Sequence, residues 1–413
     1  MAPHNGLVHA KEYDIKDSNV ELIGTDIDHR VKYASAATEP AWNNGVVGVQ
    51  PGLFVWRIED FQVVPVPARG VGLFYDGDSY IVLHSYQVGR DTRTPTLGHE
   101  IFFWLGSYTS QDEAGTAAYK TVELDEFLHG AATQHRELQA SPSAAFLAVF
   151  PQRLTIRRGG VATGFTHVEE PAEATPSKKT MLLRVFKQPG ARTDGGIVVH
   201  EVPAQPTSLD DDDVFVLDAA GSDALYVWQG RRCSPMEKAK AAEVAQDLLT
   251  PAHTGGVQVL AQDEGRAGVV LRLLAQEAQG GGSLESSARA ATSFRSDRPV
   301  ASTRSNQPPR PQKLWRLSDA SGQLSFDLVR DGAASLRDFD GRDVFLWDDA
   351  GREVWVWEGR GASAAERAQW LRVAQAYVRQ LAAGGDEGYL TPVAKVREGY
   401  ESPAFLQSLQ AAA

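Results

Sequence analysis

Cysteine and long apolar runs are both scarce in this sequence of 413 residues. The single cysteine, Cys233, excludes an intramolecular disulfide and favours a reducing compartment. No apolar run approaches the ~20 residues of a membrane-spanning helix, and the opening residues MAPHNGLVHAKEYD lack the apolar core of a signal peptide. We therefore expect a cytoplasmic protein with no membrane span.

An excess of positive charge is also missing, because the formal net charge is -12 at pH 7. A nucleic-acid partner needs a basic surface, so this balance argues against one and instead suits uptake of metal cations. The sequence has no G-x-S-x-G and no P-loop, and Phe103 stands where an H-E-x-x-H motif beginning at His99 would have its second histidine. These absences predict that the protein is not an enzyme.

One pattern occurs three times along the chain. Each copy has an opening strand, a second strand that begins at an acidic residue, a third strand that ends in an aromatic-x-Gly turn, and a helix with an early glutamate. The opening strands are residues 53–57, 181–185 and 313–317. An internal repeat sets the architecture. Strands followed by one long helical segment predict α+β domains in which helix covers a sheet.

The linkers divide the chain into three repeats, as its length also suggests. We expect an N-terminal extension at 1–50, repeat one at 51–167, a linker at 168–179, repeat two at 180–279, a linker at 280–312 and repeat three at 313–411. The second linker is rich in Gly, Ser, Arg and Pro and has little to bury. This composition predicts a flexible tether and a separable repeat three.

Each repeat pairs an acidic residue at a strand start with a glutamate in the first turn of its helix. The pairs are Asp78 with Glu113, Asp213 with Glu237, and Asp343 with Glu366. Each glutamate shares a helix stripe with apolar residues, so two carboxylates converge near a core, where hard oxygen ligands suit calcium. A helix cap is the competing interpretation, since residues 110–113 read as a capping box and a first-turn glutamate favours the helix dipole.

The first helix differs from its two counterparts because it has a second apolar face. Beside the core stripe lies a patch formed by Gly115, Ala118, Tyr119 and Val122. Such a face is either buried by more of the same chain, here the N-terminal extension, or offered to a partner's groove.

These same residues resemble the gelsolin family of actin-binding proteins. The resemblance is carried in repeat one by VVPVP at 63–67, FYDGDSY at 74–80 and SQDEAGTAA at 110–118. The three-repeat length, Ser234-Pro235 ahead of Glu237, and LSDASG at 317–322 point to the severin and fragmin branch. The resemblance implies three gelsolin-like domains, each a central mixed β-sheet flanked by a long and a short helix.

The resemblance also implies a calcium-dependent protein of the cytoskeleton that severs actin filaments, caps their barbed ends and nucleates new ones. It implies a monomer that contacts actin through the helix-one patch and Asp125. The implied calcium ligands are Gly77, Asp78, Glu113 and Val161; Asp125, Gly130 and Ala132 at a site shared with actin; Asp212, Asp213 and Glu237; and Arg342, Asp343 and Glu366. The glycine expected at position 212 is an aspartate here, but this position offers only its carbonyl.

Phosphoinositide head groups are a further expected ligand. The residues that match the family's basic runs are Arg153, Arg157, Arg158, Arg184, Lys187 and Arg192. They are sparse, and a solvated edge is the competing interpretation. Two other functions stay open at this point, namely barbed-end capping without severing and a phosphoinositide-responsive adaptor.

Overall fold

The computed structural model describes residues 36–88, 96–161, 179–188, 196–278, 293–296, 310–382 and 390–410. Within these ranges the α+β prediction is confirmed, because every repeat combines a mixed sheet with a longer and a shorter helix. Repeat one contains β1 (Gly52–Glu59), β2 (Gln62–Pro65), β3 (Leu73–Tyr75), β4 (Ser79–Val88), β5 (Thr96–Leu105), α1 (Gln111–Phe127), β6 (Ala132–Leu138), α2 (Ala144–Ala148) and β7 (Leu154–Arg157).

The other repeats follow the same order of strands and helices but, within their described residues, have no counterparts of β3 and β7. Repeat two contains β8 (Met181–Lys187), β9 (Ile197–Val202), β10 (Val214–Asp218), β11 (Ala224–Gln229), α3 (Pro235–Leu248), β12 (Gly256–Ala261) and α4 (Gly268–Ala278). Repeat three contains β13 (Lys313–Ser318), β14 (Ser325–Asp331), β15 (Val344–Asp348), β16 (Val354–Glu358), α5 (Ala364–Ala382), β17 (Val393–Arg397) and α6 (Pro403–Gln410). Along the described residues, no helix has the length and apolarity needed to span a bilayer.

Two sheets run across the repeat boundaries. Ten strands from repeats three and one form one sheet in the order β14-β13-β15-β16-β17-β6-β5-β4-β1-β2. Its two halves meet where β17 pairs antiparallel with β6. The second sheet has the order β12-β11-β10-β8-β9-β7-β3, so two strands of repeat one complete the sheet of repeat two.

In these shared sheets repeat three is joined to repeat one through β17 and β6, whereas the sequence predicts a separable repeat three. Its separability stays a prediction. The edges of β6 and β17 carry unpaired N–H and C=O groups, and pairing the two edges satisfies them. The linker prediction needs revision at residues 293–296, which lie against repeat two. The rest of the 280–309 stretch lies outside the described residues, as do residues 1–35 and most of the 168–179 linker.

Each sheet has a helix on both faces, and a separate core lies under each helix. In repeat one, Ala117 and Leu124 of α1 pack with Ile81 and Ile101 on one face of the sheet. On the other face, Phe146 of α2 packs with residues of the alternate register, among them Phe102. Period-two alternation therefore divides each strand between two cores.

The described part of the N-terminal extension, residues 36–50, adds to the core under α1. Trp42 is fully buried and lies edge-on to Trp56 at 6.1 Å between ring centroids. Its indole nitrogen donates to the carbonyl of Ala36 at 2.9 Å, which satisfies the one polar atom of the side chain. Residues 36–50 therefore pack against repeat one.

Candidate functional site

The three acidic loops ahead of β4, β10 and β15 share one backbone geometry. The glycine of each aromatic-x-Gly turn donates its N–H to the carbonyl of the loop aspartate, with distances of 3.0 Å for Gly106 to Asp78, 3.0 Å for Gly230 to Asp213 and 3.1 Å for Gly359 to Asp343. The N–H of the residue two positions after that glycine donates to the carbonyl of the residue two positions before the aspartate. The distances are 2.8, 2.8 and 2.7 Å in repeats one, two and three. The residue between these two acceptors is the one predicted to offer its carbonyl to a metal: Gly77 in repeat one, Asp212 in repeat two and Arg342 in repeat three.

Glycine is required in these turns because the loop backbone passes so close. A Cβ atom built on Gly106 would lie 2.4 Å from the carbonyl oxygen of Asp76, and one on Gly359 would lie 2.4 Å from that of Gly341. Both distances are far below van der Waals contact, so any side chain would push the acidic loop away. The repeated aromatic-x-Gly signal in the sequence is thus part of the site.

Asp78 is the buried carboxylate of repeat one. Its Oδ1 accepts from the N–H of Val161 at 2.8 Å, and its Oδ2 lies 3.1 Å from the Nε of Arg57 and accepts from the Tyr80 hydroxyl at 3.3 Å. Burial raises the pKa of Asp78, Arg57 opposes that rise, and the negative charge of Glu113 adds to it. The predicted pairing of Asp78 and Glu113 as metal ligands stays a prediction.

The Glu113 side chain is buried, but the capping box predicted for residues 110–113 forms only by half. Ser110 caps α1 by accepting from the N–H of Glu113 at 3.1 Å. The Glu113 carboxylate turns instead to the hydroxyl of Thr109, which donates to it at 3.0 Å and also lies 2.8 Å from the Ser79 hydroxyl. The Glu113 carboxylate therefore does not complete the cap, and its role as a metal ligand stays a prediction.

Repeat two holds its carboxylate pair differently. Asp213 is fully buried, and its Oδ2 lies 2.5 Å from the Nε of Arg184, whose side chain is itself 1% exposed. Glu237 completes a capping box with Ser234 and accepts from the N–H of Lys187 at 2.9 Å. Here the cap and the acidic pair coexist on one helix terminus.

Repeat three brings a third carboxylate to the pair. Glu366 accepts from the N–H of Ser363 and from that of Asp319, each at 2.9 Å. Burial raises the pKa of Glu366, backbone hydrogen bonds oppose the rise, and the nearby charges of Asp319 and Asp343 add to it. A cation at this position would relieve the repulsion among the three carboxylates.

The oxygen ligands at all three loops fit a calcium ion. Each loop offers buried carboxylates and a backbone carbonyl, which are the ligands that this ion takes. Among the described residues, no group of three or more His, Cys, Asp or Glu side chains is arranged as a metal cluster. Calcium binding at these loops stays a prediction.

The predicted shared site around Asp125 is closed in this conformation. Asp125 Oδ1 accepts from the N–H of Ala132 at 3.0 Å, and Oδ2 accepts from the Gln134 amide at 2.6 Å. The carbonyl of Gly130 accepts from Arg397 of β17 at 3.1 Å. Burial raises the pKa of Asp125 to about 6, against the opposing charge of Lys395. Residues of repeat three thus occupy the surroundings of this site.

The second face of α1 is open to solvent over the described residues. Tyr119 is 51% exposed, Gly115 is exposed, and Ala118 and Val122 are half-buried. Residues 36–50 contact α1 on its core side through Trp42 and on the neighbouring flank, where Glu39 binds the Lys120 ammonium at 2.7 Å. Residues 36–50 therefore leave the patch uncovered.

Comparisons with known proteins agree with the repeat pattern. The family model described as Gelsolin repeat matches residues 60–147 and 195–266. "Gelsolin-like protein 1" of Lumbricus terrestris is 37% identical over 97% of this chain and 98% of its own length. This chain belongs to the gelsolin family. "Severin" of Echinococcus granulosus is 38% identical over 83% of this chain and 84% of its own length.

Another relative is longer than this chain. "Gelsolin" of Drosophila melanogaster is 33% identical over 91% of this chain and 43% of its own length. A solved complex of Thorarchaeota 2DGel3 with rabbit actin shares 22% identity over 51% of this chain and 94% of that chain, with a TM-score of 0.21. That likeness is too slight to guide the interpretation of the sites.

The basic residues expected to bind phosphoinositides are mostly in ion pairs in this gelsolin-family chain. Arg153 lies 2.5 Å from Asp247, and Arg157 lies 2.5 Å from Glu201. Arg184 is buried against Asp213, whereas the side chains of Arg158 and Lys187 are more accessible. The remaining predicted residue, Arg192, lies outside the described residues. Phosphoinositide binding stays a prediction.

Sequence reasoning missed the arginines that hold the aspartates of the first two gelsolin repeats. Arg57 on β1 pairs with Tyr80, and Arg184 on β8 pairs with Phe215, so each arginine lies two residues along the ladder from the site aspartate. The signal was present in the sequence, because each arginine ends or lies within an opening strand. Its meaning depended on the strand register, which the sequence does not state.

Proposed function

We propose that this chain binds actin monomers and filaments, severs filaments and caps their barbed ends in response to calcium. The observation that carries the proposal is the solvent-exposed apolar face of α1, centred on Tyr119. The same helix carries Glu113 in its first turn, and the acidic loop ahead of β4 carries Asp78. Family membership supports the proposal, since a full-length relative of similar size shares the repeats. The role is binding rather than catalytic, and its place is the actin cytoskeleton of the cytoplasm.

The α1 face suits a groove on the partner. Its small residues, Gly115 and Ala118, let another surface approach the helix backbone closely, and Tyr119 supplies a large aromatic anchor with a polar tip. Helices that dock in this way present apolar side chains at spacings of three and four residues, as positions 115, 118, 119 and 122 do. This chain acts as a monomer in the proposed complex.

Calcium is the proposed regulator. In repeat one it would be held by the side chains of Asp78 and Glu113 with the carbonyls of Gly77 and Val161. Repeat two would use Asp213, Glu237 and the carbonyl of Asp212, and repeat three would use Asp343, Glu366 and the carbonyl of Arg342. The ion would supply positive charge that the buried carboxylates lack. That charge favours the ionised form of each aspartate and glutamate.

The described conformation suits a closed state of the regulated protein. Arg397 donates a hydrogen bond to the carbonyl of Gly130, and β17 pairs with the edge of β6. Both contacts lie next to the site that would be shared with actin. We propose that separation of β17 from β6 precedes full engagement of actin at Asp125. Calcium would favour the separated state because it would bind the acidic loops more tightly there than in the closed state. The difference between the two binding free energies sets the size of the shift.

The deciding experiment is imaging of labelled actin filaments with the full chain, in calcium and in chelator. Breaks along filaments in calcium, with arrested growth at one end, are the expected result. Arrested ends without breaks would support capping alone. Binding to phosphoinositide vesicles with no effect on filaments in either condition would support an adaptor and refute the proposal.

A further inference from the structure

A short segment of the second linker lies directly on the acidic loop of repeat two. The N–H of Phe294 donates to Asp211 Oδ1 at 2.8 Å, and the N–H of Asp211 donates back to the Phe294 carbonyl at 3.1 Å. The N–H of Ser296 donates to Asp210 Oδ2 at 2.9 Å. The Phe294 ring packs edge-on against Trp228, with 5.5 Å between centroids. Residues 293–296 are thus an internal ligand of the loop.

Arg184 connects that segment to the proposed metal site. Its Nε binds Asp213, its second nitrogen donates to the Ser296 hydroxyl at 2.9 Å, and a third lies 3.7 Å from Asp210. The Ser296 hydroxyl in turn donates to the Ser208 carbonyl at 2.9 Å. One buried guanidinium therefore contacts both the site aspartate and the docked segment.

We propose that calcium at Asp213 and Glu237 and the docked segment 293–296 compete through Arg184, so that calcium releases this part of the linker from repeat two. The inference rests on the proposed calcium site of repeat two. It adds a coupling between that site and a particular segment of the linker.

Electrostatics gives the coupling its sign. A divalent ion on the Asp213 carboxylate would face the Arg184 guanidinium across a few ångströms of buried space, where like charges repel strongly. Arg184 would then turn away from Asp213 and give up the Ser296 contact. By thermodynamic linkage, if the docked segment weakens calcium binding by some factor, calcium weakens the docking of the segment by the same factor.

The other repeats supply the internal comparison. Arg57 holds Asp78 in repeat one at the same ladder position. In repeat three the equivalent Arg316 is exposed and makes no ion pair with Asp343 among the described residues. Repeat two is thus where the described residues join a linker segment, a buried arginine and a site aspartate.

Hydrogen exchange of the full chain, with calcium as the probe, tests the proposal. Peptides covering residues 293–296 should exchange at least about fivefold faster in saturating calcium, the low end of couplings between sites. Glu237→Gln, which removes the repeat-two ligand, should abolish that acceleration. Glu366→Gln, the matched change in repeat three, should preserve it. Phe294→Ala should tighten the repeat-two calcium site by at least about fivefold in calorimetry.

Two failures are distinguishable. If Glu237→Gln removes one calcium site in calorimetry but calcium leaves the exchange of residues 293–296 unchanged in the wild type, the coupling is wrong and the calcium proposal stands. If Glu237→Gln keeps every wild-type calcium site, the metal assignment in repeat two fails, and the inference fails with it. Acceleration that persists in Glu237→Gln would also overturn the coupling, since another site would be its source.

Discussion

His135 is a fully buried charge at the junction of repeats one and three. Its Nδ1 lies 3.4 Å from Glu353 and its Nε2 lies 3.6 Å from Glu100, while its ring stacks on Phe102 at 4.4 Å. Burial opposes the charge of His135, but attraction to Glu100 and Glu353 raises its pKa to about 10. For Glu100, burial is outweighed by His135 and His84, and its pKa falls to about 2. The His135 ring therefore lies between carboxylates from both repeats, and burial raises the pKa of Glu353 against the attraction of His135.

Replacing this cation should weaken the junction in a pH-dependent way. We expect His135→Leu to destabilise the chain by roughly 3–5 kcal/mol, the cost of leaving buried carboxylates without their partner. A histidine whose pKa is raised by folding stabilises the folded state fully at pH values below its ordinary pKa of 6.5. That contribution is lost as the pH rises through about 10. Chemical denaturation of both proteins should thus show a larger difference at pH 6 than at pH 10. An equal difference at both values would mean that packing, not charge, is what His135 contributes.

The carboxylate of Glu113 gives the sharpest test of the metal assignment in repeat one. Glu113→Gln keeps the size of the side chain and its contact with Thr109 but removes the charge. We expect calorimetry to show one calcium site fewer, with thermal stability in chelator changed by less than about 1 kcal/mol. Asp112→Asn is the matched control, because Asp112 lies on the exposed side of the same helical turn and should keep every site. An unchanged site count in Glu113→Gln would contradict the assignment.

At the scale of single elements, α1 carries two apolar faces with different tasks. Leu124 is fully buried under the helix, whereas Tyr119 is 51% exposed on the other side. Tyr119→Asp should weaken actin-monomer binding by about 2–4 kcal/mol, on the scale of an interface hot spot, because it places a charge in a desolvated contact. The unfolding temperature should stay nearly the same. Analytical ultracentrifugation with labelled actin measures the first effect and calorimetric melting the second.

Leu124→Asp is the control for that experiment. It puts an unpaired charge into the core beneath α1 and should unfold repeat one. If Tyr119→Asp also unfolds repeat one, the second face belongs to the core. If Tyr119→Asp changes neither stability nor actin binding, α1 is not the docking element.

Sequence patterns predicted single elements well and their partners poorly. The helical stripe placed Glu113, Glu237 and Glu366 toward the core, and all three are buried. That inference needs only the 3.6-residue period of a helix. The pairing of Arg57 with Asp78 needs the register of two strands, and the docking of Phe294 on Trp228 needs a tertiary contact across 66 positions of sequence. Neither follows from local periodicity, so neither was predicted.

At the scale of the whole molecule, repeats one and three share a sheet, whereas the sequence predicts a chain of independent repeats. The composition of the 280–312 linker predicts that repeat three is separable from the others. Composition reports only how little the linker itself can bury, and it carries no information on how the repeats contact one another. Whether two repeats join is decided by their sheet edges, and β6 and β17 each present an edge to the other. Edge pairing of this kind depends on the relative placement of repeats, which no repeat encodes alone.

The junction of β6 and β17 offers a direct test of whether the closed form is the inactive one. Gln134 and Lys395 face each other in the antiparallel ladder, where paired Cα atoms lie within the range that a disulfide spans. The native Cys233 is buried, so a Gln134→Cys, Lys395→Cys variant should form the new bond selectively on mild oxidation. We expect the oxidised variant to lose calcium-dependent severing and the reduced variant to regain it, since the bond holds β17 over the edge next to Asp125. Gln134→Cys alone, oxidised in parallel, controls for loss of the Asp125 contact. Full severing by the cross-linked protein would show that actin engages this chain without separation of repeats one and three.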